Sequence, residues 1–205
     1  MSFYEKHVLP YLIDLACGIR PVRRQRQKLV PLASGKVLEV GIGTGLNLPH
    51  YDAALVERIW GLDPALEMHS LAAKRVARSG LPVQLVGLSA EKIPMADHSF
   101  DTVLLTYTLC SIADPVTALR EMRRVLKPGG QLLFCEHGQA PDASVRRWQD
   151  RLTPVWSRIA GNCHLNRAVP QLLEASGFRT ERMETLYLPG PRPLTYNYWG
   201  IARPI

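Results

Sequence analysis

Residues 37–47 read Val-Leu-Glu-Val-Gly-Ile-Gly-Thr-Gly-Leu-Asn, an apolar run that passes directly into three glycines at alternate positions. An apolar run of this length, stopped by glycines, reads as a buried strand leading into a turn where the backbone can approach a ligand. A second short apolar run, Ile59-Trp60-Gly61-Leu62, ends at Asp63, 24 residues after Glu39. Strand, glycine turn and a later carboxylate together describe a nucleoside pocket, with Asp63 placed to hold ribose hydroxyls.

The remaining pattern alternates. Strands are expected at residues 36–41, 57–62, 83–87, 100–106, 130–136, 178–185 and 194–202. Helices are expected at 64–78, 115–126, 144–160 and 166–176. Apolar positions over 3–17 follow a helical period despite Pro10, and a second helix runs from Arg20 or Pro21 to about Leu32. Pro49 interrupts the segment 46–56 after the glycines, and residues 127–130 (Lys-Pro-Gly-Gly) read as a helix stop and tight turn. Alternation of this kind implies an α/β fold with a doubly wound, mostly parallel sheet of seven strands. Between the last two strands stands the Pro/Gly-rich stretch 188–193, which suits a C-terminal antiparallel hairpin. The expected organisation is a helical N-terminal lid over 1–32 and a catalytic domain over 33–205.

Details of the glycine turn narrow the ligand. A dinucleotide fold places its third glycine where Leu46 stands, and Gly45 falls one residue early. Glu39 immediately before the turn would oppose a pyrophosphate and suits a ligand that is cationic or rich in N–H donors. No G-x-x-x-x-G-K-[ST] phosphate loop occurs.

With these residues in place, Glu39-x-Gly41-x-Gly43-x-Gly45 resembles the first motif of class I S-adenosylmethionine-dependent methyltransferases. Asp63 resembles their ribose-binding acidic residue, residues 88–94 the loop that edges the adenine, 100–103 the start of the fourth strand, and 124–130 the approach to the fifth. The resemblance covers residues 35–138 and implies a Rossmann-like fold with S-adenosyl-L-methionine as cofactor. It implies cofactor-binding roles for Glu39, Gly41, Gly43, Gly45, Asn47, Asp63, Pro64, Ser89, Ala90, Glu91 and Thr106. Ser89 stands where relatives often carry aspartate, so its hydroxyl replaces part of that contact and the backbone at Ala90 supplies the rest. From the lid, Tyr4, His7 or Tyr11 is expected near the donor, with Tyr11 in the expected cofactor-binding set.

The acceptor should be met beyond the C-terminal ends of strands four and five. Residues 106–109 (Thr-Tyr-Thr-Leu) replace the Asn/Asp-Pro-Pro-Tyr/Phe tetrad of nucleobase methyltransferases, which disfavours nucleic acid as substrate. His137 could take a proton near neutral pH, or hold a loop by hydrogen bonding. Glu136 could orient His137 or bind a cation, or cap backbone amides. Tyr107 could line the acceptor pocket or belong to its apolar wall. The elements 109–111 (Leu-Cys-Ser), Glu136-His137, Cys163 with Leu165 and Arg167, and Tyr196-x-Tyr198 resemble a narrower group, the vertebrate microsomal alkyl-thiol methyltransferases and their bacterial relatives labelled phospholipid- or quinone-type. His164 stands where vertebrate members tend to have asparagine, and their long apolar anchor has no counterpart in these residues. The expected catalytic set is His137, Glu136, Tyr107 and Cys163, acting on a small molecule. A thiol leads, with a phospholipid headgroup amine or a quinone precursor as alternatives; a non-catalytic nucleoside-binding module is the alternative from another class.

Composition excludes other classes. Among 205 residues no apolar stretch approaches the ~18 needed for a membrane span. The N-terminus lacks the features of a secretion signal. Four dispersed cysteines predict neither a disulfide framework nor a zinc motif, and a cytoplasmic setting is the expectation. Cys110, Cys135, Cys163, His137 and His164 fit no ligand spacing, so no metal is expected. Cys110 and Cys135 read as buried structural residues, and Cys163 as an acceptor-pocket residue. The net charge of +7 is concentrated early, in Arg20, Arg23, Arg24, Arg26 and Lys28. That stretch is compatible with peripheral membrane contact through residues 3–30 or with a solvated helix face.

Overall fold

The computed structural model describes residues 3–205. Its elements are α1 (Phe3–His7), α2 (Leu9–Gly18), α3 (Arg20–Leu29), β1 (Gly35–Val40), β2 (Val56–Leu62), α4 (Leu66–Ser79), β3 (Val83–Val86), β4 (Phe100–Thr106), α5 (Pro115–Val125), β5 (Leu126–His137), α6 (Ala143–Ile159), α7 (Val169–Ala175), β6 (Phe178–Tyr187), α8 (Arg192–Thr195) and β7 (Tyr196–Pro204). The strands form one sheet in the order β3-β2-β1-β4-β5-β7-β6. Pairings from β3 through β5 are parallel, and β7 runs antiparallel to both β5 and β6. This is the expected Rossmann-like sheet, with the C-terminal antiparallel pair inserted so that the last strand lies inside the edge.

The sheet is covered on both faces, which explains why β1 and β4 read as continuous apolar runs rather than alternating ones. One face buries Leu38, Val103, Leu105, Leu132 and Phe134 with Leu119 and Met122 of α5 and Leu173 of α7. The other buries Val37, Ile59, Leu104 and Leu133 with Leu29 of α3, Ile42 and Tyr51. Local chemistry sets the boundaries. Asp114 caps α5 by accepting from the Thr117 amide at 3.0 Å, with Pro115 in the first turn. Gly80, at φ +67°, ends α4 in the left-handed region.

Three expectations differ from the structure. The helix expected over 3–17 is two helices broken at Val8, because Pro10 has no amide proton and starts α2 rather than continuing α1. Residues 127–130 form no separate turn before a strand at 130; β5 begins at Leu126, and the Lys-Pro-Gly-Gly run is absorbed as a register shift against β4. The 188–193 stretch leads into a single helical turn, α8, before β7.

Candidate active site

The parallel strand order reverses between β1 and β4, where open α/β sheets bind ligands beyond their strand ends. A cavity of about 520 Å³ lies there. It is bordered by Gly41–Thr44 after β1, Asp63–Ala65 and Met68 after β2, Ser89–Glu91 after β3, and Thr106–Thr108 with Ser111 and Ile112 after β4. Leu9, Pro10, Ile13 and Cys17 of α2 close a further side, with Gly161 beyond α6. The carboxylates at the cavity (Asp63, Glu67 and Glu91) all follow β2 or β3, which leaves the α2 side apolar.

Asp63 is fixed in place at the cavity by the backbone on either side of it. Its two oxygens accept from the Gly43 amide and the Ala65 amide, each at 2.9 Å. Burial raises its pKa, and those two bonds counter the rise. Each oxygen keeps acceptor capacity for a vicinal diol. Gly41 sits at φ +71°, and a Cβ there would lie 2.6 Å from the Cβ of Thr108. Only glycine lets the β1 turn pass beneath the β4 turn. Ser89, Ala90 and Glu91 border the cavity as expected for an adenine edge. A half-buried carboxylate with free acceptor capacity, glycines at 41 and 43 that bring the backbone to the cavity, and the 89–91 edge fit the nucleoside of S-adenosylmethionine.

Glu39, Asn47 and Gly45 do not border the cavity. Glu39 is 1% exposed and accepts from Asn47 Nδ2 at 2.9 Å and from the Tyr51 hydroxyl at 2.6 Å. Burial pushes its pKa up to about 7. Asn47 Nδ2 also donates to Thr106 Oγ1 at 2.9 Å, and Arg26 Nη1 donates to Asn47 Oδ1 and Thr106 Oγ1, both at 2.6 Å. Glu39 and Asn47 therefore brace the glycine turn from below. Gly45 packs against Leu48. Tyr11 is corrected: it is 61% exposed on the outer face of α2, and Leu9, Ile13 and Cys17 take the inner face. Arg26, a cavity residue and the hub of this network, was not singled out from the basic run. Its signal was periodicity, because Val22, Gln25, Arg26 and Leu29 form one buried stripe of α3.

Of the four expected catalytic residues, only Tyr107 borders the cavity. It takes φ +54°, and its hydroxyl donates to Asn197 Oδ1 at 2.8 Å. Burial raises its pKa well above the ordinary phenol range. Glu136 is fully buried and accepts from the Thr108 amide at 2.8 Å, which anchors the β4–α5 turn. Burial pushes its pKa up to about 8, and Oε2 has no partner among the described residues. His137 lies behind the cavity wall, with Nε2 3.2 Å from the Cys163 sulfur. Cys110 joins them, and hydrogen bonding from Cys163 pulls its thiol well below the ordinary range. The sequence spacing did not suggest this convergence. Cys135 points to the other face, its sulfur 3.5 Å from the Tyr107 hydroxyl.

Fold and site together define a class I S-adenosylmethionine-dependent methyltransferase. A family model described as a methyltransferase domain matches residues 38–134. The chain is 33% identical to human thiol S-methyltransferase TMT1A over 175 residues, which is 80% of this chain and 71% of that protein. To human thiol S-methyltransferase TMT1B it is 37% identical over 158 residues, 74% of this chain and 64% of that one. To phosphatidylethanolamine N-methyltransferase of Cereibacter sphaeroides it is 35% identical over 130 residues, 61% and 63% of the two chains. The match thus spans less than two thirds of the length of two of these three relatives. Among solved structures, N-methyltransferase NodS of Bradyrhizobium japonicum, in complex with S-adenosyl-L-homocysteine, superposes with TM-score 0.70 at 19% identity over 98% of this chain and 94% of that one. The chain belongs to the S-adenosylmethionine-dependent methyltransferase family.

Proposed function

We propose that the acceptor is the sulfur of a small apolar thiol. The observation that carries this reading is the character of the α2 side of the cavity, formed by Leu9, Pro10, Ile13, Cys17 and Gly161 with neither carboxylate nor imidazole. An amine acceptor arrives protonated and needs a group to hold or discharge the cation. A thiol supplies a few per cent of thiolate at neutral pH unaided. When bound, the donor supplies a methyl group on a positively charged sulfur. The chain's part is to hold the ribose at Asp63, pass its backbone close at Gly41, and exclude water with α2. A thiol that has already given its proton to solvent would accept that methyl group as a thioether, leaving the donor as the neutral sulfide, with no base required of the chain. The likeness to thiol S-methyltransferases supports this reading.

Membrane-borne acceptors are a second reading, favoured by the exposed apolar groups of α2, which borders the cavity, and of α6. On α6 the inward stripe is Val145, Gln149 and Thr153, while Trp148, Leu152, Val155 and Ile159 face outward. Leu12 and Leu15 of α2 are exposed as well. Arginines 147, 151 and 158 on α6 and 20, 23 and 24 on α3 flank these apolar groups, the pattern of a helix lying on an anionic bilayer. Among the described residues no helix is long and apolar enough to cross a membrane.

Labelled donor incubated with alkyl thiols, amines including ethanolamine headgroups, and phenols decides the acceptor. Label in a thioether is expected. Label on the headgroup amine or on a phenol would sink the thiol reading, and donor binding without turnover on any acceptor would favour a binding module. Flotation with phosphatidylserine vesicles tests the surface, with Leu15→Glu and Val155→Glu expected to abolish it.

A further inference from the structure

Behind the wall formed by residues 107–111, side chains from three separate segments meet. Cys110 lies in the β4–α5 loop, His137 ends β5, and Cys163 lies in the α6–α7 loop. Their two sulfurs and an imidazole nitrogen lie within 4.8 Å of one another. We propose that Cys110, His137 and Cys163 hold a thiophilic closed-shell cation, Zn²⁺, with a water in the fourth position.

Two sulfurs and one imidazole are the donor set that selects such ions over Mg²⁺ or Ca²⁺. With Zn–S near ~2.3 Å and Zn–N near ~2.0 Å, tetrahedral donors stand roughly 3.4–3.8 Å apart. Cys163 Sγ and His137 Nε2 are already 3.2 Å apart, so the cluster reaches that geometry by rotations about the cysteine side chains. The surroundings support bound thiolates. Trp156 Nε1 donates to the Cys163 sulfur at 3.3 Å, and the Ser111 hydroxyl stands 3.5 Å from the Cys110 sulfur. Arg167 donates to the carbonyls of Leu109 and Ile112 at 2.8 and 2.6 Å and fixes the loop that carries Cys110.

Charge balances too. A dication with two thiolates is neutral, so the buried site gains no uncompensated charge. Binding releases one proton from each thiol to solvent, and nothing is oxidised or reduced. The neighbouring candidates are otherwise engaged. The Cys135 sulfur faces the Tyr107 hydroxyl, and His164 Nδ1 lies against the carbonyls of Cys110 and Asn162 at 3.2 and 2.7 Å. The ion would join two walls of the cavity, because Ser111 follows Cys110 and Gly161 precedes Cys163 by two residues, and both border it. The site is independent of which acceptor is methylated.

The test titrates the reduced, chelator-treated full chain with Co²⁺ and then Zn²⁺. One equivalent of Co²⁺ should bind with a sulfur-to-cobalt charge-transfer band that Zn²⁺ removes, and Zn²⁺ should raise the melting temperature. Cys163→Ser and Cys110→Ser should each weaken binding at least about tenfold, the loss that even an outer partner produces. His164→Asn, which disturbs the same loop without removing a donor, should bind as the parent does. Circular dichroism and S-adenosylhomocysteine binding report whether each variant is folded. In the unaltered chain, Zn²⁺ should slow alkylation of Cys163 and leave Cys17 unaffected. Absence of one-to-one Co²⁺ binding, a band of undiminished intensity and unchanged affinity in Cys163→Ser, equal loss in His164→Asn, or unprotected Cys163 would each overturn the proposal.

Discussion

Replacing Arg26 by methionine should loosen the N-terminal helices and the donor site together. Arg26 is 5% exposed, and its Nη1 donates at 2.6 Å to both Asn47 and Thr106, the residues that tie the glycine turn to β4. Its guanidinium also lies 5.2 Å from the centre of the Tyr107 ring. Each charged-donor bond contributes about 1.5–3 kcal/mol, and the ring contact about 1 kcal/mol. Against this, the guanidinium is desolvated and its Nε has no partner among the described residues, so removing it returns part of that gain. Methionine retains the packing of the aliphatic stem. The net loss is about 3 kcal/mol, roughly two decades in the folding equilibrium.

Urea unfolding followed by circular dichroism reads that loss as a lower midpoint at unchanged slope. Calorimetry with S-adenosylhomocysteine should show affinity reduced at least about tenfold, because Asn47 loses the contact that orients it toward Glu39. Arg26→Lys should fall between, since an ammonium cannot fork to two acceptors as rigidly. A loss under about 1 kcal/mol with donor affinity unchanged would refute the idea that Arg26 couples α3 to the glycine turn.

Gly41→Ala should cost about 2–4 kcal/mol and weaken donor binding in calorimetry, combining the positive φ with the close approach to Thr108. Thr108→Ala should not rescue it, because the clashing Cβ remains. Glu39, with its pKa raised by burial to about 7, stays protonated in the folded chain after the unfolded chain has ionised. Its contribution is therefore full below about pH 4.5 and lost as pH rises toward 7, on the order of 3 kcal/mol in all. Glu39→Gln should flatten that part of the urea-midpoint profile between pH 5 and 8. For the proposed thiol transfer, kcat/KM should rise with pH to a plateau set by the acceptor's own pKa across a series of thiols. A fixed break that is the same for every thiol would implicate an enzymic base instead. Deleting residues 1–20 should abolish donor binding, since α2 supplies one side of the cavity; unchanged affinity would discard the proposed lid.

The sequence signals that succeeded were local. The β1 glycine turn, Asp63 and the 89–91 loop each combine a strand end with chemistry adjacent in the chain, so periodicity and spacing place them at the switch point before any tertiary contact is known. Helix faces were legible but less directly. In α2 the stripe Leu9, Ile13 and Cys17 points to the cavity, and Tyr11 lies two residues off that stripe, which turns it to solvent. In α6 the reading inverts: Gln149 is buried because its amide bonds the Ala140 amide and the Gly138 and Pro193 carbonyls, and this pushes Trp148 and Val155 outward. An apolar stripe identifies a face, but only the polar partners waiting on the other side determine which face is buried. The cluster of Cys110, His137 and Cys163 lay beyond local reasoning altogether. It exists because β4 pairs with β5, which brings the ends of those strands together, and because the chain returns from α6 across the same edge, where the His164 amide bonds the Cys110 carbonyl at 2.9 Å. Chemistry assembled by strand adjacency leaves no spacing to read, so the expectation that His137 and Cys163 face the acceptor pocket meets a structure in which neither borders the cavity.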